Sequence, residues 1–158
     1  MNFEDIENRY RSDVTDSHKR IFALAMQGLF EIEVGQTLPH EAAIDVIPAE
    51  CNENMRNTIR QLVEGAAQEI DTIDEILRRN LTCKWSLERL GTVERSVMRL
   101  GTFIIRHRIW SSAAHVRDLA ANCAVEYSGQ NAHSLVKAVL DAVSRETQGE
   151  PAHKEQQS

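Results

Sequence analysis

The chain has 158 residues and a formal net charge of -6 at pH 7, a length that suits one domain of ordinary size. It contains only seven glycines and three prolines, which excludes the collagen-like and disordered classes. Aromatic residues make up 5% of the chain, and this balance favours helices over a β-sandwich. The composition therefore predicts an all-α single domain.

No segment has the composition of a membrane span or of an export signal. The longest uncharged apolar run, Ile21 to Phe30, is far shorter than the roughly 20 residues that cross a bilayer. Glu4, Asp5 and Glu7 occupy the N-terminus, where a secretory signal needs basic residues. We therefore expect a cytoplasmic protein.

The chain opens with an N-terminal extension, residues 1–15, whose apolar residues recur at helical spacing and allow a short leading helix. The first well-defined helix is predicted to begin near Asp16 or Ser17, because either side chain can accept a hydrogen bond from the first turn. Its apolar pattern ends at Gly35.

The middle of the chain is predicted to be a short connection followed by a long helix. Pro39 and Pro48 bracket a stretch that holds at most a short helix, since each proline restricts the backbone before it. From about Ala49, apolar residues at spacings of three and four predict one long helix that ends near Asn80.

Three further helices are expected after a short segment over residues 85–90. Thr92 is a candidate cap for the first of them, and Asn131 for the last. In the first, Val93 and Arg95 project about 200° apart, which places arginines opposite the core face. We therefore expect an all-α bundle of five to seven helices with short loops. It is expected to span residues 16–147, followed by a polar, flexible tail over residues 148–158.

The motifs of catalytic and metal sites are missing from the sequence. The six histidines form no HxxxH or HExxH pair, and Cys51, Cys83 and Cys123 have neither zinc nor disulfide-framework spacing. No glycine-rich phosphate loop and no GxSxG nucleophile motif occurs. We therefore expect no catalysis, no metal and no cofactor, and an enzyme with unrecognised chemistry is the least favoured alternative.

Two basic features stand out from an acidic background. Residues 78–108 hold eight basic and two acidic residues, and Lys19 and Arg20 form a second cluster at the start of the first predicted helix. Phosphate binding depends on the local field within about 8–10 Å, so a basic face can act on an acidic protein. Each cluster is a candidate contact for RNA or for a protein partner, and a solvated surface is the alternative.

Three stretches resemble the NusB family, in order along the chain. Residues 85–100 read WSLERLGTVERSVMRL and resemble the family signature W-x-L-x-R-L-x-x-V-[DE]-[RK]-x-[IV]-L-R-[LI]. Residues 25–30, AMQGLF, resemble A-x-Q-A-L-[YF], and residues 135–141, LVKAVLD, resemble F-V-N-G-V-L-D. With a looser middle, the resemblance covers about residues 17–145.

NusB proteins are all-helical bacterial transcription antitermination factors that pair with the small ribosomal protein NusE and bind boxA RNA in ribosomal RNA leader transcripts. The resemblance thus implies a non-catalytic adaptor that acts with NusE and the transcription elongation complex. Carried over residue by residue, it implies RNA contacts from His18, Lys19, Arg20, Gln27, Phe30, Asn131 and His133. It implies contacts with the protein partner from Arg89, Glu94, Arg95 and Arg99.

The sequence departs from the family at several polar positions. The arginine-rich N-terminal run is reduced to Lys19 and Arg20, with Phe22 where a further basic residue is usual, and Lys137-Ala138 replaces Asn-Gly. Each lost phosphate contact weakens RNA binding and lowers its salt slope by about one unit. A diverged paralogue that binds a protein partner and has weak or no RNA binding is therefore an alternative, and the bundle's apolar faces leave both a monomer and a homodimer open.

Overall fold

The computed structural model describes residues 2–82 and 84–149, and these form seven α-helices and no strand. The helices are α1 (Phe3–Gly35), α2 (Pro39–Val46), α3 (Glu53–Gln68), α4 (Ile70–Asn80), α5 (Thr92–His107), α6 (Ala113–Ser128) and α7 (Asn131–Ser144). A 3-10 turn, Leu87–Arg89, precedes α5, and a π-helical turn, Arg145–Gly149, follows α7. The predicted all-α bundle is confirmed. Of the predicted polar tail, residues 150–158 lie outside the described residues.

Helix α1 is continuous from Phe3, so the prediction that it begins near Asp16 or Ser17 is wrong. Its true cap is Asn2, whose side-chain oxygen accepts the Asp5 backbone N–H at 2.8 Å. Acidic residues in the first turn favour a helix start through the helix dipole, and they stand here directly after the cap. The extension and the bundle thus share one helix, which ends at Gly35 as predicted.

The single long helix predicted from about Ala49 to Asn80 is wrong, because the structure has two helices that meet at Glu69. The backbone of Glu69 leaves the helical region (φ -100°, ψ 18°), and α4 turns away to pack on α5 and α7. The Glu69 carboxylate pairs with Arg106 at 3.2 Å and with His107, both in the last turn of α5. The apolar spacing of three and four residues continues across the break at Glu69, so the sequence pattern does not reveal the break.

Helix α5 lies at the centre of the bundle and contacts α1, α3, α4, α6 and α7. The expectation that the arginines of α5 lie opposite its core face is wrong for Arg95 and Arg99, whose side chains are only 13% and 14% exposed. Even Ser96 and Thr102 are buried on it. A helix surrounded on most sides has little surface to offer, so Arg95 and Arg99 form their ion pairs inside the bundle. The hydroxyl oxygens of Ser96 and Thr102 are buried without a hydrogen-bond partner among the described residues.

The predicted caps Thr92 and Asn131 are instead the first residues of their helices. Gly91 and Gln130 occupy the cap positions, and neither makes a side-chain capping bond. Among the residues in the structure, no helix is both long and apolar enough for a membrane crossing.

Candidate nucleic-acid interface

A groove of about 430 Å³ separates the middle of α1 from α6, and we call it the α1–α6 groove. Lys19 and Arg20, two of the predicted RNA contacts, line it from α1. Asp16 and Glu126 line it as well, so its two cations face two carboxylates. Arg20 also donates to Glu50 at 3.1 Å in an exposed ion pair. Exposed ion pairs contribute little to stability, so Arg20 can readily exchange Glu50 for another anion.

One end of the α1–α6 groove is closed by a hydrogen bond between the two helices. Gln27 Nε2 donates to the hydroxyl oxygen of Tyr127 at 3.2 Å, and Tyr127 is 47% exposed. Phe30, which is half-buried, lies three residues beyond Gln27 on the same side of α1. The predicted contacts Gln27 and Phe30 thus continue the surface that Lys19 begins. Tyr127 was missed by the sequence analysis, because a tyrosine in a last helical turn carries no distinctive pattern.

His18 packs into an aromatic cluster that fastens α1 to the segment before α6. Its ring stacks on Trp110 with centroids 4.0 Å apart, and its Nδ1 lies 3.0 Å from Nε2 of His115. Burial, with a smaller contribution from the charge of His115, lowers the pKa of His18 below its ordinary value. His18 therefore adds no positive charge to the surface at neutral pH, and its contact with RNA stays a prediction.

The two predicted contacts on α7 lie at the N-terminal end of that helix. Asn131 is exposed and lines a second groove, which runs between α7 and the segment after α4. His133 is half-buried two residues further on. Only the loop between α6 and α7 separates Asn131 from Tyr127, so the α7 contacts adjoin one end of the α1–α6 groove.

Arg95 and Arg99 belong to an internal ion-pair network centred on Glu33 of α1. Arg95 Nε donates to Glu33 at 2.7 Å, and Arg99 donates to the same oxygen at 3.3 Å. Arg95 Nη1 also donates to the carbonyl oxygens of Leu87 and Leu90, at 3.1 and 2.7 Å. The network therefore holds the 3-10 turn against α1 and α5.

Within this network, hydrogen bonds and charges outweigh the effect of burial on the pKa of Glu33. Burial alone would raise the pKa of Glu33, but the hydrogen bonds and charges of Arg95 and Arg99 lower it below its ordinary value. The hydrogen bond to Glu33 is the main cause that raises the pKa of Arg95. Glu33 and Arg95 are thus ionised at neutral pH, and the role of the network in the fold is to join elements rather than to face solvent.

The other two predicted partner residues lie nearer the surface. Arg89 is exposed at the end of the 3-10 turn, where its backbone N–H donates to Ser86 Oγ at 3.2 Å. Glu94, in the first turn of α5, folds its carboxylate over Gly91 so closely that a Cβ there would collide with it. Arg89 and Glu94 lie on the surface that the internal network positions.

Cys123 lines the α1–α6 groove but is chemically inert. It is buried, and burial together with the nearby charge of Glu126 raises the pKa of its thiol to about 12. A thiol that stays protonated at neutral pH is neither a nucleophile nor a ready metal ligand.

The residues that the structure describes form a bundle of seven helices with open grooves between them, which places the protein in the class of all-α helical bundles. The NusB family model matches residues 19–145, and the chain belongs to the NusB family. The transcription antitermination protein NusB of Geobacillus kaustophilus is 34% identical over 119 residues, which cover 75% of this chain and 88% of that protein. The NusB of Sorangium cellulosum is 30% identical over 121 residues, 76% of this chain and 86% of that protein.

Solved NusB structures share the fold. Thermotoga maritima NusB superposes with a TM-score of 0.78 at 24% identity, covering 87% of this chain and 96% of that one. A chain from a crystal structure of the antitermination factors NusB and NusE in complex with double-stranded RNA superposes with a TM-score of 0.75 at 24% identity, covering 83% and 98%. The family model begins at residue 19, so the first four turns of α1 precede the matched region.

Proposed function

We propose that this protein is a non-catalytic adaptor in transcription antitermination, which binds boxA-type leader RNA together with the small ribosomal protein NusE. The observation that carries the proposal is the match of residues 19–145 to the NusB family. A fold neighbour is described as part of a complex with NusE and RNA, which supports both partners. The role implies that the protein works in the cytoplasm, with the transcription elongation complex.

In this proposal the RNA follows α1 along the α1–α6 groove. Lys19 and Arg20 contact phosphates, and Arg20 exchanges its exposed pair with Glu50 for the RNA backbone. Gln27 donates hydrogen bonds to the RNA, and Phe30 offers a partly exposed ring on which an unpaired base can stack. Asn131 and His133 extend the contact onto α7. His18 acts beneath this surface by fixing α1 through Trp110 and His115.

NusE docks in this proposal on the surface around the 3-10 turn. Arg89 and Glu94 face the partner directly, whereas Arg95 and Arg99 position that surface from below. Arg95 is the link, because it holds two carbonyl oxygens of the turn and the Glu33 carboxylate at once. Loss of Arg95 is therefore expected to weaken NusE binding by displacing the turn.

A second candidate is a diverged NusB-like module that binds its protein partner and has weak or no RNA affinity. Two observations favour it. Asp16 and Glu126 balance Lys19 and Arg20 in the α1–α6 groove. The first turn of α1 is also acidic rather than basic. Carboxylates near a phosphate path oppose RNA binding, so the two candidates differ in RNA affinity rather than in fold.

The test is a titration of labelled boxA-type RNA and of a scrambled RNA of equal length, each with and without NusE. The antitermination adaptor is expected to prefer the boxA-type sequence, and to bind it more tightly when NusE is present. Lys19→Glu is expected to weaken this binding, whereas Arg60→Glu, the same charge change at an exposed position of α3, serves as the matched control. NusE binding without any RNA preference would establish the second candidate instead.

A further inference from the structure

The second groove, which we call the α7 groove, has a volume of about 520 Å³ and runs along one side of α7. Trp85 forms its opposite wall, with Asn80 and Thr82 beside it, and Asn131 and Arg145 line it from the α7 side. Trp85 is 50% exposed, although an indole gains much from burial. Its backbone N–H donates to the carbonyl oxygen of Thr82 at 3.0 Å, so the turn after α4 holds the residue in place.

The charge of the α7 groove distinguishes it from the α1–α6 groove. None of the described residues that line it carries a carboxylate, and Arg145 supplies one positive charge. Glu146, the next residue, directs its carboxylate to Arg79 through hydrogen bonds of 2.9 and 3.1 Å. A phosphate that enters the α7 groove is therefore attracted by Arg145 and meets no carboxylate from the part of the lining that the structure describes.

The α7 groove also adjoins the proposed RNA path. Tyr127 is at the end of the α1–α6 groove, α6 ends one residue later, and α7 begins at Asn131, which lines the α7 groove. The four residue steps from Tyr127 to Asn131 span at most about 14 Å, even when fully extended. A single strand that leaves the α1–α6 groove at Tyr127 thus needs to pass only the loop between α6 and α7.

We infer that the α7 groove binds one unpaired nucleobase of single-stranded RNA, stacked on the indole of Trp85. Asn131, at the N-terminal end of α7, bonds the nucleotide through its side-chain amide, and Arg145, roughly 21 Å away at the other end of the helix, contacts a phosphate further along the strand. A flat aromatic face, an amide and an unopposed cation are the groups that unpaired RNA bases and their backbone use. The inference rests on the proposed RNA-binding function and extends it to Trp85, which the resemblance places in the stretch assigned to the protein partner.

The experiment compares Trp85→Ala and Trp85→Phe with the unchanged protein in titrations of labelled boxA-type RNA, with NusE present. Trp85→Ala is expected to raise the Kd about 10-fold, and Trp85→Phe to retain most of the affinity because it keeps an aromatic face. Phe3→Ala removes another exposed aromatic ring, from the far end of α1, and is the matched control. Circular dichroism checks that each variant keeps its helix content.

Fluorescence tests the stacking itself, because the chain has only two tryptophans. In the Trp110→Phe protein Trp85 is the one remaining indole. Its fluorescence is expected to be quenched as RNA is added, with the Kd that titration of labelled RNA gives for this same variant. A set of RNAs with one abasic position each then identifies the stacked base. For the RNA that lacks the stacked base, Trp85→Ala is expected to cause no further loss of affinity.

The outcomes separate this inference from the function on which it rests. If the unchanged protein binds boxA-type RNA and Lys19→Glu weakens it, while Trp85→Ala has no effect and Trp85 is not quenched, this inference alone is overturned. If Trp85→Ala weakens NusE binding but not direct RNA binding, the α7 groove belongs to the protein partner, and the inference is again overturned. If the unchanged protein shows no RNA preference with or without NusE, both proposals fail together.

Discussion

Arg99 on α5 and Asp74 on α4 form a two-pronged ion pair, in which Arg99 Nε and Nη2 donate to the two carboxylate oxygens of Asp74 at 2.8 Å each. Both side chains are almost buried, with exposed fractions of 14% and 12%. Parallel hydrogen bonds of this kind fix orientation as well as distance. The pair therefore sets the position of α4 against the central helix, and with it the start of the segment that carries Trp85.

Removal of one member of this pair is expected to destabilise the fold strongly. Arg99→Met leaves the Asp74 carboxylate nearly buried without its partner, which costs about 3 kcal/mol in the free energy of unfolding. This change in the free energy of unfolding is measured by urea denaturation, with circular dichroism as the probe of helix content. Arg78→Met is the matched control, because the ion pair of Arg78 with Glu88 is exposed, and no measurable change is expected there. Equal effects of the two substitutions would refute a structural role specific to Arg99.

The pKa of His18 predicts a pH-dependent stability. Because burial lowers this pKa in the folded state, the unfolded chain binds a proton more readily. The stabilisation is complete above the ordinary histidine pKa of 6.5 and is lost as the pH falls through the lowered folded value. The urea midpoint is therefore expected to fall between pH 7.5 and pH 5.5, and to fall less in His18→Phe, which keeps a ring to stack on Trp110.

His40→Gln supplies the control for this measurement, since His40 is exposed in the first turn of α2. The urea midpoint of His40→Gln is expected to change with pH as much as that of the unchanged protein. A His18→Phe protein whose midpoint shifts as much as that of the unchanged protein would show that another group causes the pH dependence.

Cys123 is expected to resist alkylation in the folded protein. Burial raises the pKa of its thiol to about 12, so almost no thiolate is present at pH 8. Mass spectrometry of peptides after iodoacetamide treatment should find Cys123 unmodified in buffer and modified in concentrated urea. Rapid modification of Cys123 in buffer would mean that the α1–α6 groove opens more widely than the structure shows.

The fold class was predictable from the sequence because apolar residues recur at spacings of three and four almost throughout. The break at Glu69 was not, since Ala66, Ile70 and Ile73 continue that spacing across it, and the cause is the packing of α4 on other helices. The burial of Arg99 was hidden for a related reason. A helical wheel assumes one core face, whereas α5 has neighbours on most sides.

The candidate site was predictable only where charge marked it. Lys19 and Arg20 stood out as a basic pair and do line a groove. The carboxylates of Asp16 and Glu126 that share this groove come from different helices, so their proximity appears only when the chain folds. The exposure of Trp85 was not predictable, because an aromatic residue in a helical bundle is more often part of the core, and Trp85 is instead half-exposed.

The central claim, that the α1–α6 groove holds an RNA backbone, is tested most directly by the salt dependence of RNA binding. The logarithm of the association constant for boxA-type RNA is measured against the logarithm of salt concentration, with NusE present, for the unchanged protein and for a Lys19→Gln, Arg20→Gln double variant. Two lost phosphate contacts are expected to weaken binding and to lower the slope by about two units. A slope and affinity equal to those of the unchanged protein would contradict the claim.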